Sequence, residues 1–378
     1  MPLEISFLFG GISSEYDASI SSLTHIISSF LVVPHEQRPF SVKNMYHISR
    51  DDGLVRTIPF HSAFTIAELQ TYISGPSKIP GRALLSFFDE SYNEYIVNLL
   101  TGQFGEDGGV QTIAYLSGIE GTFGDPQTAS LTMNKYAMSS FVSSILTDEV
   151  VRVPDTEIVN YRNFSRLRDI SRSLRFPIVI KPNSLGSSLF ATLVHESSAA
   201  YAEIFRTVGN ILEYDSTALL QQFVPGDEYS CGCRTALLQQ FVPGDEYSCG
   251  CVVTSRGVSI LPVAKIDTNG NFFGYDEKSD DNLSEINIID IDNPISKRIK
   301  EITRSIVFAV GISNMARLDF RVDSNLEVWF LECNSIPYLG ENGLYARMLR
   351  ESNMSILDLI SIISSKSKSF VRKPHMIQ

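Results

Sequence analysis

Apolar residues change their spacing repeatedly along this chain, and the changes divide it into elements. LEISFLF at 3–9 is short, apolar and halted by Gly10-Gly11, whereas ASISSLTHIISSFL at 18–31 places its apolar positions at helical intervals. Together they predict a strand, a tight turn and a helix, the opening of a doubly wound domain. Extended stretches follow at SVKNMYHIS (41–49) and EYIVNLL (94–100), and helical patterns at 62–73, 109–118 and 129–146. A strand-rich section starts with EVVRVPDTEIV (149–159), continues through the buried strand FPIVIK (176–181) and the Gly/Ser loop NSLGSSLF (183–190), and leads to a helix at 199–212. LLQQFVPGDEYSCGC reads as two strand segments around a Pro-Gly turn, PISKRIKEITRSIVFAV (294–310) as an amphipathic helix, and ARLDFRV with LEVWFLECN (316–322 and 326–334) as a hairpin.

Strand residues alternate faces, so the hairpin can be read side by side. Pairing Val322 with Glu327 sets Ala316, Leu318 and Phe320 opposite Cys333, Leu331 and Trp329 on an apolar face. The other face collects Arg317, Asp319, Glu332 and Asn334. Two carboxylates and an amide suit magnesium, which takes oxygen ligands and shares them with substrate phosphates. The same residues also suit a solvated face with an Arg–Glu cross-strand pair.

The 378 residues give room for two or three domains, and 43% hydrophobic with 20% charged residues fit a soluble globular enzyme. No apolar run reaches the roughly 20 residues that span a bilayer. Glu4 stands where a signal peptide carries positive charge, which points to the cytoplasm. A net charge of -12 argues against nucleic acid as a partner, despite the basic tail KSKSFVRK.

TALLQQFVPGDEYSCGC occurs at 217–233 and again, unchanged, at 235–251. Four of the five cysteines lie in these copies, as two C-x-C pairs. Structural zinc sites space their thiols C-x2-4-C, and solenoids need about three repeats or more, so neither explains the stretch. An accident does: an in-frame duplication, or an error in the sequence.

Several residues could carry chemistry, each with a plainer alternative. NSLGSSLF, entered from Lys181, offers N–H groups, hydroxyls and an ammonium to a polyphosphate, but lacks the G-K-[ST] of a P-loop and also reads as linker. Glu15 in GGISSE could bind a ligand or favour the dipole of the following helix. Lys135 and Lys278 are individually unremarkable for exposed lysines.

Their order along the chain is more informative. Glu15, GEDG at 105–108, Lys135 in SLTMNK, Lys181 before LGSS, PGDE after an extended segment, Lys278 and the Arg317/Asp319/Glu332/Asn334 hairpin together resemble the D-alanine:D-alanine ligase family of the ATP-grasp superfamily, over nearly the whole chain. The resemblance implies a Rossmann-like N-terminal substrate domain (1–127), then a two-lobed ATP-grasp fold. Its central domain would be 128–251 and its C-terminal domain, with the metal hairpin, 252–378. It further implies a cytoplasmic ligase of peptidoglycan precursor synthesis. ATP would phosphorylate one D-alanine, and the amine of a second would attack the acyl phosphate.

By the resemblance, Lys135 and Lys181 contact ATP phosphates and Lys278 the transferred phosphoryl group. Asp319, Glu332 and Asn334 hold Mg2+ or Mn2+. Arg317 stabilises the oxyanion, Glu15 binds the first substrate's ammonium, and Ser187 orients the loop. The repeated segment matches the adenine hinge, with one copy in place: Gln221, Gln222, Val224 and Glu228, or Gln239, Gln240, Val242 and Glu246. The implied partners are small D-amino or D-hydroxy acids and, as often in the family, a second copy of the chain.

The departures gather around the substrates. L-H-G becomes Leu100-Thr101-Gly102, E-G-S-S-x-G carries Leu185 and Phe190, and a tyrosine becomes Ser279. N-x-x-P-G becomes Asn334-Ser335-Ile336-Pro337-Tyr338, and a serine expected at the second substrate's carboxylate is Gly343. A second substrate such as D-lactate, or an ATP-binding relative impaired by its duplication, are the alternatives this leaves.

Overall fold

The computed structural model describes residues 3–75, 79–91, 93–173, 176, 178–185, 192–222, 245–267 and 285–366. Three sheets organise them. The first contains β1 (Leu3–Gly10), followed by α1 (Tyr16–Val32), then β2 (Phe40–Ile48) and β3 (Val55–Pro59). After α2 (Ile66–Ser74) and α3 (Leu84–Glu90) come β4 (Tyr95–Asn98), α4 (Gly109–Leu116) and β5 (Glu120–Gly121). The strand order is β3-β2-β1-β4-β5, parallel except for β3. The chain leaves β1 toward one side and returns to β4 on the other, so the loops after β1 and β4 part at a switch point, where α/β sheets offer a crevice.

Next come α5 (Pro126–Met133) and α6 (Lys135–Ile145), where the spacing predicts a single helix over 129–146. Asn134 breaks it, with ψ near 100° and its side chain accepting the N–H of Ala137, so one residue closes the first helix and caps the second. This break makes Lys135 the first residue of a new helix. The second sheet is antiparallel, β6-β9-β7-β8, formed from β6 (Thr156–Asn160), β7 (Ile178–Pro182), β8 (Thr192–Val194) and β9 (Thr217–Gln222). Ile204, Val208 and Ile211 of α8 (Ala200–Tyr214), with Leu167 of α7 (Leu167–Ser173), close its core.

The third sheet, also antiparallel, runs β12-β11-β10-β13-β14, with β10 (Asp245–Thr254), β11 (Gly257–Asp267), β12 (Glu285–Ile288), β13 (Asn314–Val322) and β14 (Val328–Asn334). On one face Tyr247, Cys249, Cys251, Leu318, Phe320 and Phe330 pack with Ile299, Ile302 and Ile306 of α9 (Pro294–Val310). Pro294 at the first helical position and Gly311 at φ 77° delimit that helix. Cys249, Cys251 and Cys333 are free, buried thiols within this core. On the other face the sheet divides. Val252, Leu261, Ala264, Ile266 and Met315 share a core with α10 (Leu344–Glu351), α11 (Ile356–Lys366) and the first sheet, while Glu246, Ser248, Arg317, Asp319 and Arg321 make another part of the face polar.

The hairpin differs in register from the sequence pattern. Leu318 opposes Cys333 and Asp319 opposes Glu332, but Phe320 opposes Phe330, so Leu331 is an additional residue on β14. This β-bulge shifts the alternation. Phe330, not Trp329, joins the apolar face, its ring 6.0 Å from Phe320, while Trp329 lies opposite Arg321 and donates to Asp323.

The repeat is shared between two sheets. β9 is the start of copy one, and β10 is the end of copy two running on through Val252 and Val253. Local contacts explain both choices. Thr217 donates its N–H to Asp215 Oδ1, whose other oxygen accepts from Ser184 N at 2.6 Å, whereas Thr235 follows Cys233 and Arg234 and has no such carboxylate. At the far end, Val252 is 2% exposed in an apolar core, and copy one would put Arg234 there.

Candidate active site

At the crevice of the first sheet, Glu15 stands at the N-cap of α1 and makes no side-chain cap bond to the helix. Its carboxylate lies against Gly102, where a Cβ would stand 2.6 Å from Glu15 Oε2, and φ of +78° independently calls for glycine. Thr101, in the place of the histidine the family pattern expects, donates its hydroxyl to the Glu15 carbonyl and accepts from Ser13 through its own carbonyl. On the other side of Gly102, Glu106 Oε2 accepts the Gly102 N–H at 2.8 Å. Glu106 Oε1 accepts from Ile336 N at 2.7 Å and Ser335 Oγ at 3.3 Å, tying this loop to the segment just beyond the hairpin. Burial, with the Glu15 charge behind it, nevertheless pushes the Glu106 carboxyl up to about 8.

On the hairpin, Asp319 is surrounded by donors. Arg317 binds it through Nε and Nη2, at 3.0 and 2.9 Å, Ser248 Oγ at 2.5 Å, and Asn334 Nδ2 at 3.2 Å. Asn334 Nδ2 also stands 3.5 Å from Glu332 Oε1. The bidentate bond fixes the guanidinium plane, since Arg and carboxylate match as two forks. All four residues expected on this face are therefore together, with Ser248 added from β10.

The lysines arrive from the second sheet's side. Lys135 donates Nζ to the Leu185 carbonyl at 2.9 Å, and its backbone N–H bonds the Asn183 carbonyl. Lys181, on β7, is 1% exposed; burial first, then Lys135, hold its ammonium well below the ordinary lysine range, while Glu332 pulls it back. A narrow pocket is lined by Glu15, Glu106, Lys135, Glu332, Asn334 and Ser335, among others. Residues separated by more than three hundred positions thus share one space.

Of the hinge residues, Gln221 and Gln222 close β9, its antiparallel pairing with β7 ending at Gln222 opposite Ile178. Glu246 lies on β10 on the same sheet face as Asp319, buried, its Oε2 3.9 Å from Arg321 Nη2. Val224, Glu228, Gln239, Gln240, Val242, Lys278 and Ser187 lie outside the described residues.

The donor set fits magnesium. It offers carboxylate and amide oxygens beside lysines, and among the described residues no group of three His, Cys, Asp or Glu suggests a different ion. Rotating the Asn334 amide would present its oxygen where its nitrogen now faces both carboxylates. Ser248, Arg321 and the tie made by Glu106 escaped the sequence reading. The motif GEDG marked Glu106, but nothing local to it names partners at 335 and 336.

Residues 233–364 match the family model described as D-ala D-ala ligase C-terminus. A D-alanine--D-alanine ligase of Clostridium perfringens is 25% identical over 276 residues, covering 72% of this chain and 80% of that protein. One from Clostridium botulinum is 23% identical over 372 residues, 98% of this chain and all of its own length. Among solved structures, the VanG D-Ala:D-Ser ligase from Enterococcus faecalis superposes with a TM-score of 0.73 at 22% identity, covering 95% of this chain and 98% of that one. The D-alanine-D-alanine ligase from Coxiella burnetii gives 0.69 at 19% identity, covering 97% and 95%.

Proposed function

This chain belongs to the D-alanine:D-alanine ligase family and has its ATP-grasp fold, and from that premise we propose an ATP-dependent ligase that joins two D-alanines through an acyl phosphate, for peptidoglycan precursors. The observation that carries the reading is the shared cavity, which sets Glu15 and Lys135 beside Glu332 and Asn334.

In this reading residues 1–127 hold the first substrate and the two later sections hold ATP between them. Glu15 receives the ammonium of the first D-alanine, an anion placed for a cation. Lys135, Lys181 and Lys278 meet the polyphosphate, where phosphoryl transfer needs positioning and neutralised charge. Asp319, Glu332 and Asn334 would hold magnesium, which when bound draws charge off the phosphoryl oxygens. Arg317, its plane fixed by Asp319, offers positive charge to the tetrahedral oxyanion. Gln221, Gln222 and Glu246 are the described parts of the adenine and ribose site. The reading places the enzyme in the cytoplasm, as a homodimer; no described helix is long and apolar enough to cross a membrane.

ADP release tests it, measured with ATP, magnesium and D-alanine and repeated with a panel of D-amino and D-hydroxy acids. Release that depends on D-alanine is expected. A folded protein that binds ATP yet releases no ADP across the panel would sink the ligase and leave a noncatalytic relative. A second reading, a mixed pair of substrates such as D-alanine with D-lactate or D-serine, is favoured by Thr101, Tyr338 and Gly343, and would show as release only with the mixture.

A further inference from the structure

The segment from Ser335 to Gly343, between the hairpin and α10, is held from the side of the first sheet. Glu106 takes Ser335 and Ile336, Ser22 Oγ accepts the Leu339 N–H at 3.0 Å, and His25 Nδ1 donates to the Leu339 carbonyl at 2.7 Å. Between these ties, the Tyr338 hydroxyl meets Ser21 Oγ of α1 at 2.8 Å. Tyr338 folds back over two glycines. A Cβ on Gly340 would collide with its phenol, and one on Gly343 would stand 2.9 Å from Tyr338 Cδ1.

The family pattern has glycine where this chain has Tyr338, and serine where it has Gly343. The collision explains why the two changes occur together, because a side chain at 343 and the phenol at 338 compete for one space. The exchange removes one hydroxyl and supplies another, on a different residue of the same segment. A hydroxyl can donate to a carboxylate, and of the Tyr338–Ser21 pair, bonded to each other at 2.8 Å, one proton is used between the oxygens and the other can be donated.

We infer that Tyr338 is a substrate-binding, specificity-determining residue, whose hydroxyl, set by Ser21, anchors the carboxylate of the second substrate in place of the absent serine. This rests on the ligase reading above. Two assays separate the proposals. Trapping the acyl phosphate with hydroxylamine, with D-alanine as the only amino acid, reports the first half-reaction. Dipeptide formation against second-substrate concentration reports the acceptor site.

Tyr338→Phe is expected to raise the acceptor KM about tenfold, the effect of one lost hydrogen bond to a charged group, with hydroxamate formation unchanged. Ser21→Ala should act in the same direction. Gly343→Ser alone should fall further, through the collision, and Tyr338→Gly with Gly343→Ser should return toward the wild-type KM. An unchanged KM in Tyr338→Phe overturns the anchor, as does an equal loss in both assays, which would make the residue structural. Wild-type protein that yields neither hydroxamate nor ADP overturns the ligase reading itself.

Discussion

The charged face of the β13–β14 hairpin and the crevice beyond β1 and β4 both bury carboxylates, and they treat them in opposite ways. Asp319 receives a guanidinium, a hydroxyl and an amide, all from its own sheet. Glu106 receives N–H groups and a hydroxyl but no cation, lies near Glu15, and has its carboxyl pushed up to about 8. The hairpin balances its charge internally. At Glu106 the raised pKa lets a proton stand where the hairpin has a guanidinium.

The hairpin side of this comparison breaks most visibly at Asp319. Asp319→Ala leaves Arg317 buried without its bidentate partner, and unfolding in urea should show a loss of about 3–5 kcal/mol, with ADP release abolished. A loss within error would mean that the face is not a self-contained unit. Next in size, Lys181→Met should weaken ATP binding at least about tenfold, the scale of a lost charge-assisted bond, and yet raise the melting temperature. Lys181 has its pKa depressed, so folding costs either the burial of its ammonium or the loss of its proton, and an apolar side chain of similar length removes that cost.

The crevice is sharpened by pH. Because the folded Glu106 pKa is raised, its contribution to stability is full below about 4.5 and is lost as pH rises through about 8. Glu106→Gln should therefore match wild type near pH 5 and melt higher above pH 8; parallel melting curves across that range would contradict the buried like-charge pair. The smallest effect belongs to His47, at the same end of the sheet, stacked on Phe9 and bonded to the Tyr16 hydroxyl. Burial lowers its pKa to about 4, so its contribution is present above about 6.5 and fades as pH falls through 4. His47→Phe should flatten the acid limb of a melting-temperature profile in that window alone.

These two regions also differ in how far they could be read beforehand. Arg317, Asp319, Glu332 and Asn334 sit in one contiguous stretch whose period of two exposes a polar face, and that face is as expected. Its register was not legible, because the additional Leu331 leaves no mark in an apolar run. Asn134 looked like an ordinary helix residue, and only its backbone angle reveals the break that positions Lys135. The crevice depends on partners at 15, 102, 106 and 336, brought together by topology, and alternation within a strand carries no information about such contacts. The identical copies posed a question of another kind. Their flanks answer it, since Asp215 precedes one copy and Val252 follows the other.

The three core thiols give the third sheet a chemical reporter of its own opening. Thiolate is the species that alkylating reagents attack, and burial raises Cys249, to about 12, and Cys251 and Cys333 with it. While β10 and β14 stay in place these sulfurs are inert at neutral pH, and each labelling event records a moment when the strands have parted. Trypsin then tells the copies apart, because Arg234 ends the peptide of the first copy and the second continues to Arg256. The rate at which the second peptide gains mass is a direct clock for the sheet that carries Asp319, and a nucleotide that clamps the sheet would slow it.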